Sequence, residues 1–192
     1  MAVDYDEALA AVEARLGAKA AAHSRRVADV AASLAALYDV DPSSARIAGV
    51  LHDWDRERNA GELLREAEAT GMTLSEAELA HPHLLHARTG AAGLRGALPG
   101  VPDEVVAAVS HHTVGALDMT PLDMVVYVAD MIEPNRDYPG VVALRDAVGS
   151  VSLEELFALG YQQSLLHLVT ARKCMHPDTV KVWNRYVAGG TR

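Results

Sequence analysis

Apolar residues recur along this chain at intervals of three and four rather than two, the period of an amphipathic helix. In the stretch 18–38, Val27, Val30, Ala31, Leu34 and Leu37 share one face, and His23 stands one turn before Val27 on the same stripe. Asp41-Pro42 reads as an N-cap with proline at the first helical position. It opens a helix through Ile47, Val50 and Leu51 that arrives at His52-Asp53. Thr120-Pro121-Leu122-Asp123 is a capping box, and the stripe of Leu122, Val125, Val126 and Ala129 leads to Asp130, one turn past Val126. Further helices are predicted over 5–16, 61–70, 75–79, 84–98, 103–112 and 152–173, with a last one from Asp178 past Trp183. Gly90 and Gly93 weaken the 84–98 helix, which predicts a neighbouring backbone close by. Residues 133–140, with Pro134, Pro139 and Gly140, read as a loop. No stretch alternates with period two, and no repeat or low-complexity linker interrupts the chain. The expected fold is all-α, a helical bundle forming one domain over residues 1–192.

Composition narrows the choice of partners. Half the 192 residues are hydrophobic while aromatics reach only 5%, so alanine, leucine and valine supply the core, as in helical proteins. A net charge of −9 argues against a nucleic-acid partner and means that any anionic substrate needs a local positive focus. No apolar run has transmembrane length, the start lacks the basic and apolar regions of a signal peptide, and Cys174 has no partner for an intrachain disulfide. The expectation is a soluble cytoplasmic protein without a membrane partner; a homodimer is left open.

The chemistry lies in histidines and aspartates placed where an apolar face would otherwise continue. One histidine on such a face is ordinarily a satisfied core residue. An aspartate there must meet an arginine, a cap or a metal, because an unpaired buried carboxylate is expensive. His23, the His52-Asp53 pair and Asp130 together give H…HD…D, and this mixture of imidazole and carboxylate suits a divalent transition metal. His86 opens a helix. His111 and His112 point about 100° apart, so one of them faces the core. If His86 and one of that pair turn inward, the ligands exceed the need of one ion, and a second metal follows with Asp53 as the bridge. His81, His83, His167 and His176 lack this context and read as surface or capping residues. Arg56, Arg136 and Arg145 are candidates for binding phosphate, Arg136 foremost because its loop leaves directly from Asp130.

Four blocks carry a resemblance: Ala48-Gly49-Val50-Leu51-His52-Asp53, Leu84-Leu85-His86, His112-Thr113-Val114-Gly115 and Ala129-Asp130-Met131-Ile132-Glu133-Pro134-Asn135-Arg136. Together they resemble the HD superfamily of metal-dependent phosphohydrolases, and within it the YqeK family, bacterial hydrolases that split diadenosine tetraphosphate symmetrically into two ADP. The resemblance implies metal ligands at His23, His52, Asp53, His86, His112 and Asp130. It implies two divalent ions, iron foremost, with manganese, cobalt, nickel or zinc as alternatives, and phosphate contacts near Arg136. Where the family commonly has a lysine shortly after the His-Asp pair, this chain has Asp55-Arg56. Arg56 keeps the charge but not the shape of an ammonium.

The reaction so implied is hydrolysis of a phosphoanhydride in a dinucleoside polyphosphate by metal-activated water, with Asp53, Arg56 and Arg136 taking part and Arg145 also binding substrate. No protein nucleophile is called for, and Cys174 reads as inert. Glu133 is a candidate for orienting a ligand from behind. The competing readings are an HD-type nucleotidase or phosphodiesterase on another small nucleotide, and an oxygen-binding or oxygen-activating di-iron helical protein.

Overall fold

Capping chemistry sets where most helices begin. Asp4, Asp41, Asn59, Ser75, Thr120 and Ser152 each accept a hydrogen bond from a backbone N–H in the first turn of the helix that follows. The computed structural model describes residues 3–188. Its helices are α1 (Tyr5–Arg15), α2 (Ala18–Leu37), α3 (Pro42–Leu51), α4 (Ala60–Ala69), α5 (Glu76–Ala80), α6 (His86–Ala97), α7 (Asp103–His111), α8 (Pro121–Ile132), α9 (Val141–Ala147), α10 (Leu153–Thr170) and α11 (Pro177–Tyr186). No strand occurs among the described residues, and the fold is all-α.

Two of the boundaries that differ from the sequence-based expectation bear on histidines. The stretch expected as one helix over 84–98 divides into a 3₁₀ turn, Pro82–Leu85, and α6, so His86 lies at the junction of the two. Pro82 at the first position starts a tight turn that precedes the α-helical run. The last helix begins at Pro177 rather than Asp178 because His176 is the cap, its Nδ1 accepting from the Asp178 N–H at 3.2 Å.

Packing explains how the chemical residues meet. α8 is buried nearly all round, from Leu122 to Ala129, and packs against α2, α3, α7 and α10. A helix that is apolar on every side belongs at the centre of a bundle. α2 buries Val27, Ala28, Ala31, Leu34 and Ala35 against α3. There Gly49 is required: a Cβ at that position would lie 2.8 Å from Ala28 Cα, a backbone atom that cannot swing aside. This contact draws the helix carrying His23 against the helix that ends at His52. Gly90 plays a milder part on α6, where an added Cβ would sit 3.4 Å from the Asp55 backbone N. The close backbone approach predicted for this helix is therefore present.

The turn after α3 is also clamped from outside. Arg15, in the last turn of α1, donates through Nε to the Trp54 carbonyl at 2.7 Å and through Nη2 to Asp55 Oδ1 at 2.5 Å, and lies over the Trp54 ring. Asp55 is almost fully buried, and Arg58 adds a second partner at 3.4 Å. A buried carboxylate held by two guanidiniums makes this turn a rigid mount for Asp53. A small satellite of Leu63, Ala67 and Leu85 lies outside the main core, under α4 and the 3₁₀ turn.

Candidate metal centre

His23 projects from α2, His52 and His112 cap the C-termini of α3 and α7, His86 opens α6, Asp53 follows His52, and Asp130 lies in the last turn of α8. The fold brings all six together. The Asp53 carboxylate divides them. On its Oδ2 side are His52 Nε2 at 3.4 Å and His23 Nε2 at 3.8 Å, with Asp130 Oδ1 2.9 Å from His23 Nε2 and 3.8 Å from His52 Nε2. On its Oδ1 side are His86 Nε2 at 3.3 Å and His112 Nε2 at 3.6 Å.

Each imidazole is oriented by its other nitrogen. The Nδ1 atoms of His52, His86 and His112 lie 2.8, 2.7 and 2.7 Å from the carbonyls of Gly49, His83 and Val109, three residues back in each case. A carbonyl only accepts, so each Nδ1 carries a proton and Nε2 is the atom turned toward the cluster. His23 Nδ1 meets Glu133 Oε1 at 3.1 Å. Glu133 is in turn held by Arg26 Nε at 2.6 Å and the Asn135 N–H at 2.8 Å. Burial raises its pKa, but those donors prevail and hold the carboxyl down at about 2.

The cluster is electrostatically poised for a cation. Burial opposes charge on His52, yet Asp53 and Asp130 lift its pKa to about 9. Asp53 is raised by burial and held well below the usual carboxylate range by His52, His112 and His86. Asp130, half-buried, is raised by desolvation and held down overall by His23, His52 and Arg136. Burial pushes the His112 pKa down, against protonation of its ring. His52 Nε2 is fully buried with no hydrogen-bond partner, a place where a metal ion would take over from a proton. Donor atoms of His23, His52 and Asp130 lie within 4.8 Å of one another, as do those of His52, Asp53 and His112. Nitrogen and oxygen donors in this mixture fit a divalent transition metal.

The cluster opens into a cleft of about 800 Å³ lined by, among others, Lys19, Arg26, Arg56, Thr113, Asn135 and Arg136. Arg136 donates through Nε to the Asp130 carbonyl at 2.8 Å, and its Nη2 pairs with Asp130 Oδ1. Arg56 is exposed on the rim. Arg145, expected as a substrate contact, does not line the cleft. Its guanidinium donates to the carbonyls of Ile132, Glu133 and Arg136 at 3.0, 2.7 and 3.0 Å, holding the turn that carries Arg136. His111 turns away from the cluster toward Asp123 Oδ2, at 3.1 Å. His81, His83 and His167 are exposed, and His176 caps α11.

Sequence reasoning missed Lys19, Arg26 and Thr113. Lys19 and Arg26 stand four residues before and three after His23, on one helix face, and that spacing was the available signal. Thr113 Oγ1 lies 3.1 Å from His112 Nε2 and carries no periodic signal at all.

Comparison with known proteins agrees with this geometry. The model of the HD domain family matches residues 20–135. The chain is 32% identical over 188 residues to the symmetrical bis(5'-nucleosyl)-tetraphosphatase of Bacillus subtilis (strain 168), covering 97% of this chain and 100% of that one. It is 32% identical over 168 residues to the protein of the same name from Staphylococcus aureus (strain NCTC 8325 / PS 47), covering 85% and 84%. Among solved structures, a predicted HD superfamily hydrolase involved in NAD metabolism from Clostridium acetobutylicum superposes with a TM-score of 0.89 at 27% identity, over 98% of this chain and 100% of that one. By its sequence, its fold and the cluster it assembles, the chain belongs to the HD-domain family of metal-dependent phosphohydrolases, and within it to the YqeK family.

Proposed function

We propose that this protein hydrolyses dinucleoside polyphosphates, splitting diadenosine tetraphosphate symmetrically into two ADP. Two divalent ions would be held by His23, His52, Asp53, His86, His112 and Asp130, and Asp53 would serve both. The observation that carries the reading is the two-sided engagement of Asp53, one oxygen toward His23 and His52 and the other toward His86 and His112. The substrate follows the relatives named as symmetrical tetraphosphatases, which match most of this chain.

Bound divalent ions supply Lewis-acid polarisation of phosphoryl oxygens and acidify a water toward neutral pH. Iron is proposed as the native metal, with manganese, cobalt, nickel and zinc suited by the same donors. The chain's own residues do the rest. Backbone carbonyls hold the Nδ1 protons of His52, His86 and His112 and aim Nε2 of each inward. Glu133, fixed by Arg26, sets the ring of His23. Arg136 shifts from Asp130 to substrate phosphate, where its planar donor fork matches a phosphoryl group. Arg56 meets phosphate at the rim. Arg145 acts indirectly, holding the turn that presents Arg136. The reaction belongs to the cytoplasm in this reading, which an exposed free thiol at Cys174 suits. No described helix is long and apolar enough to cross a membrane.

Steady-state kinetics of metal-loaded protein on diadenosine tetraphosphate and, separately, on AMP, ADP and ATP tests the proposal. The expected kcat/KM for the dinucleotide exceeds that for any mononucleotide by about a hundredfold or more. Equal or faster turnover of a mononucleotide would make the chain a nucleotidase instead.

A further inference from the structure

Four cationic side chains line the cleft, and they are of two kinds. Arg26 is committed to Glu133, and Arg136 to Asp130. Lys19 and Arg56 form no ion pair among the described residues, although both face the same cleft. In a chain of net charge −9, cations left unneutralised beside a cluster of imidazoles and carboxylates suit a ligand that brings its own negative charge.

The backbone explains why these two share one end of the cleft. Lys19 and His23 are four residues apart on α2, so Lys19 stands about one turn, roughly 6 Å, further toward the helix N-terminus on the same face. The segment carrying Arg56 is latched to that end, because Glu57 Oε2 accepts the Gly17 N–H at 2.7 Å. A carboxylate lining the same cleft, Glu57, makes no ion pair with Lys19. Its oxygens are instead turned onto Gly17, where an added Cβ would meet Oε1 at 3.3 Å.

We propose that Lys19 and Arg56 form a subsite for phosphates remote from the bond under attack, and that Lys19 makes the cleft prefer long polyphosphate bridges to short ones. This rests on the phosphoanhydride reading of the site. Arg136 sits against Asp130 and reaches the phosphate at the cluster; Lys19 is a turn away and reaches one further along the bridge.

The test is equilibrium binding of methylene-bridged, non-hydrolysable dinucleoside tetraphosphate and diphosphate analogues to the metal-loaded full chain. Lys19→Gln should weaken tetraphosphate binding about tenfold. It should leave diphosphate binding and metal content unchanged, and Lys19→Arg should restore affinity to within about threefold of wild type. A change below about twofold on the tetraphosphate, or an equal loss on both analogues, would overturn the inference. Turnover of the natural tetraphosphate by wild type is measured alongside. Its absence would sink the hydrolase reading, while the binding series still judges Lys19.

Discussion

His86 and His112 bring their Nε2 atoms to 3.1 Å from each other while each Nδ1 is committed to a backbone carbonyl. In their neutral forms, imidazoles with this commitment have no proton to share between them, and their Nε2 lone pairs converge on the same space as Asp53 Oδ1. A cation there relieves the repulsion and uses both acceptors. The neighbouring His111 spends its Nδ1 on Asp123 instead.

The first prediction separates these adjacent histidines. His112→Ala should lose metal from the purified protein, as measured by elemental analysis, whereas His111→Ala should retain it. Metal lost from His111→Ala and kept by His112→Ala would reverse the assignment.

Asp53 faces both halves of the cluster, so its loss should cost more than loss of any ligand to one half. Asp53→Ala is expected to reduce metal content at both positions and bring hydrolysis to assay background. Far-UV circular dichroism should stay helical, since the turn is clamped through Trp54 and Asp55 rather than through Asp53. Near-normal turnover at wild-type metal loading would show that Asp53 is not the bridge.

For Arg136, the expected effect is graded. Arg136→Ala should lower kcat/KM by about tenfold or more, and Arg136→Lys should fall between it and wild type because an ammonium keeps charge but loses the fork. An Arg136 that only pairs with Asp130 and never meets substrate predicts no such graded loss of kcat/KM. A change in kcat/KM below about threefold for Arg136→Ala would remove Arg136 from substrate binding.

How far the site was legible before the fold was known depended on the reach of each side chain. His23, His52 and Asp130 sit on or at the end of apolar stripes, and a helix's period alone turns them inward. The proline-led caps at Asp41 and Thr120 showed where two of those helices start. The arginines were harder, since a guanidinium ends several bonds from its Cα and goes where acceptors wait. Arg145 looked like a phosphate contact by its place after the Asp130 loop. Its direction is set by three carbonyls, of Ile132, Glu133 and Arg136, which only the folded turn brings together. Arg26 was passed over for the complementary reason: its role depends on Glu133, 107 residues away. Local pattern carries no information about that pairing.

Acid sensitivity should arise partly far from the cluster, at Glu78. This buried carboxylate accepts from the Ser75 N–H at 2.8 Å and from Arg88 Nη1 at 2.6 Å. Burial raises its pKa, but the Ser75 and Arg88 bonds win and hold it below its usual 4.5. A carboxyl lowered in the folded state stabilises above its unfolded pKa and loses that contribution as pH falls through the folded value. The melting temperature of wild type should therefore drop below about pH 4.5, more steeply than that of Glu78→Gln, which should start a few degrees lower at pH 7. Parallel curves for the two proteins would deny Glu78 this part.

Product analysis after incubating metal-loaded protein with diadenosine tetraphosphate tests the central claim most directly. A symmetrical attack predicts ADP as the sole nucleotide product, two for each substrate consumed, with neither ATP nor AMP accumulating early. Equal amounts of ATP and AMP, or no cleavage by fully loaded protein, would contradict it.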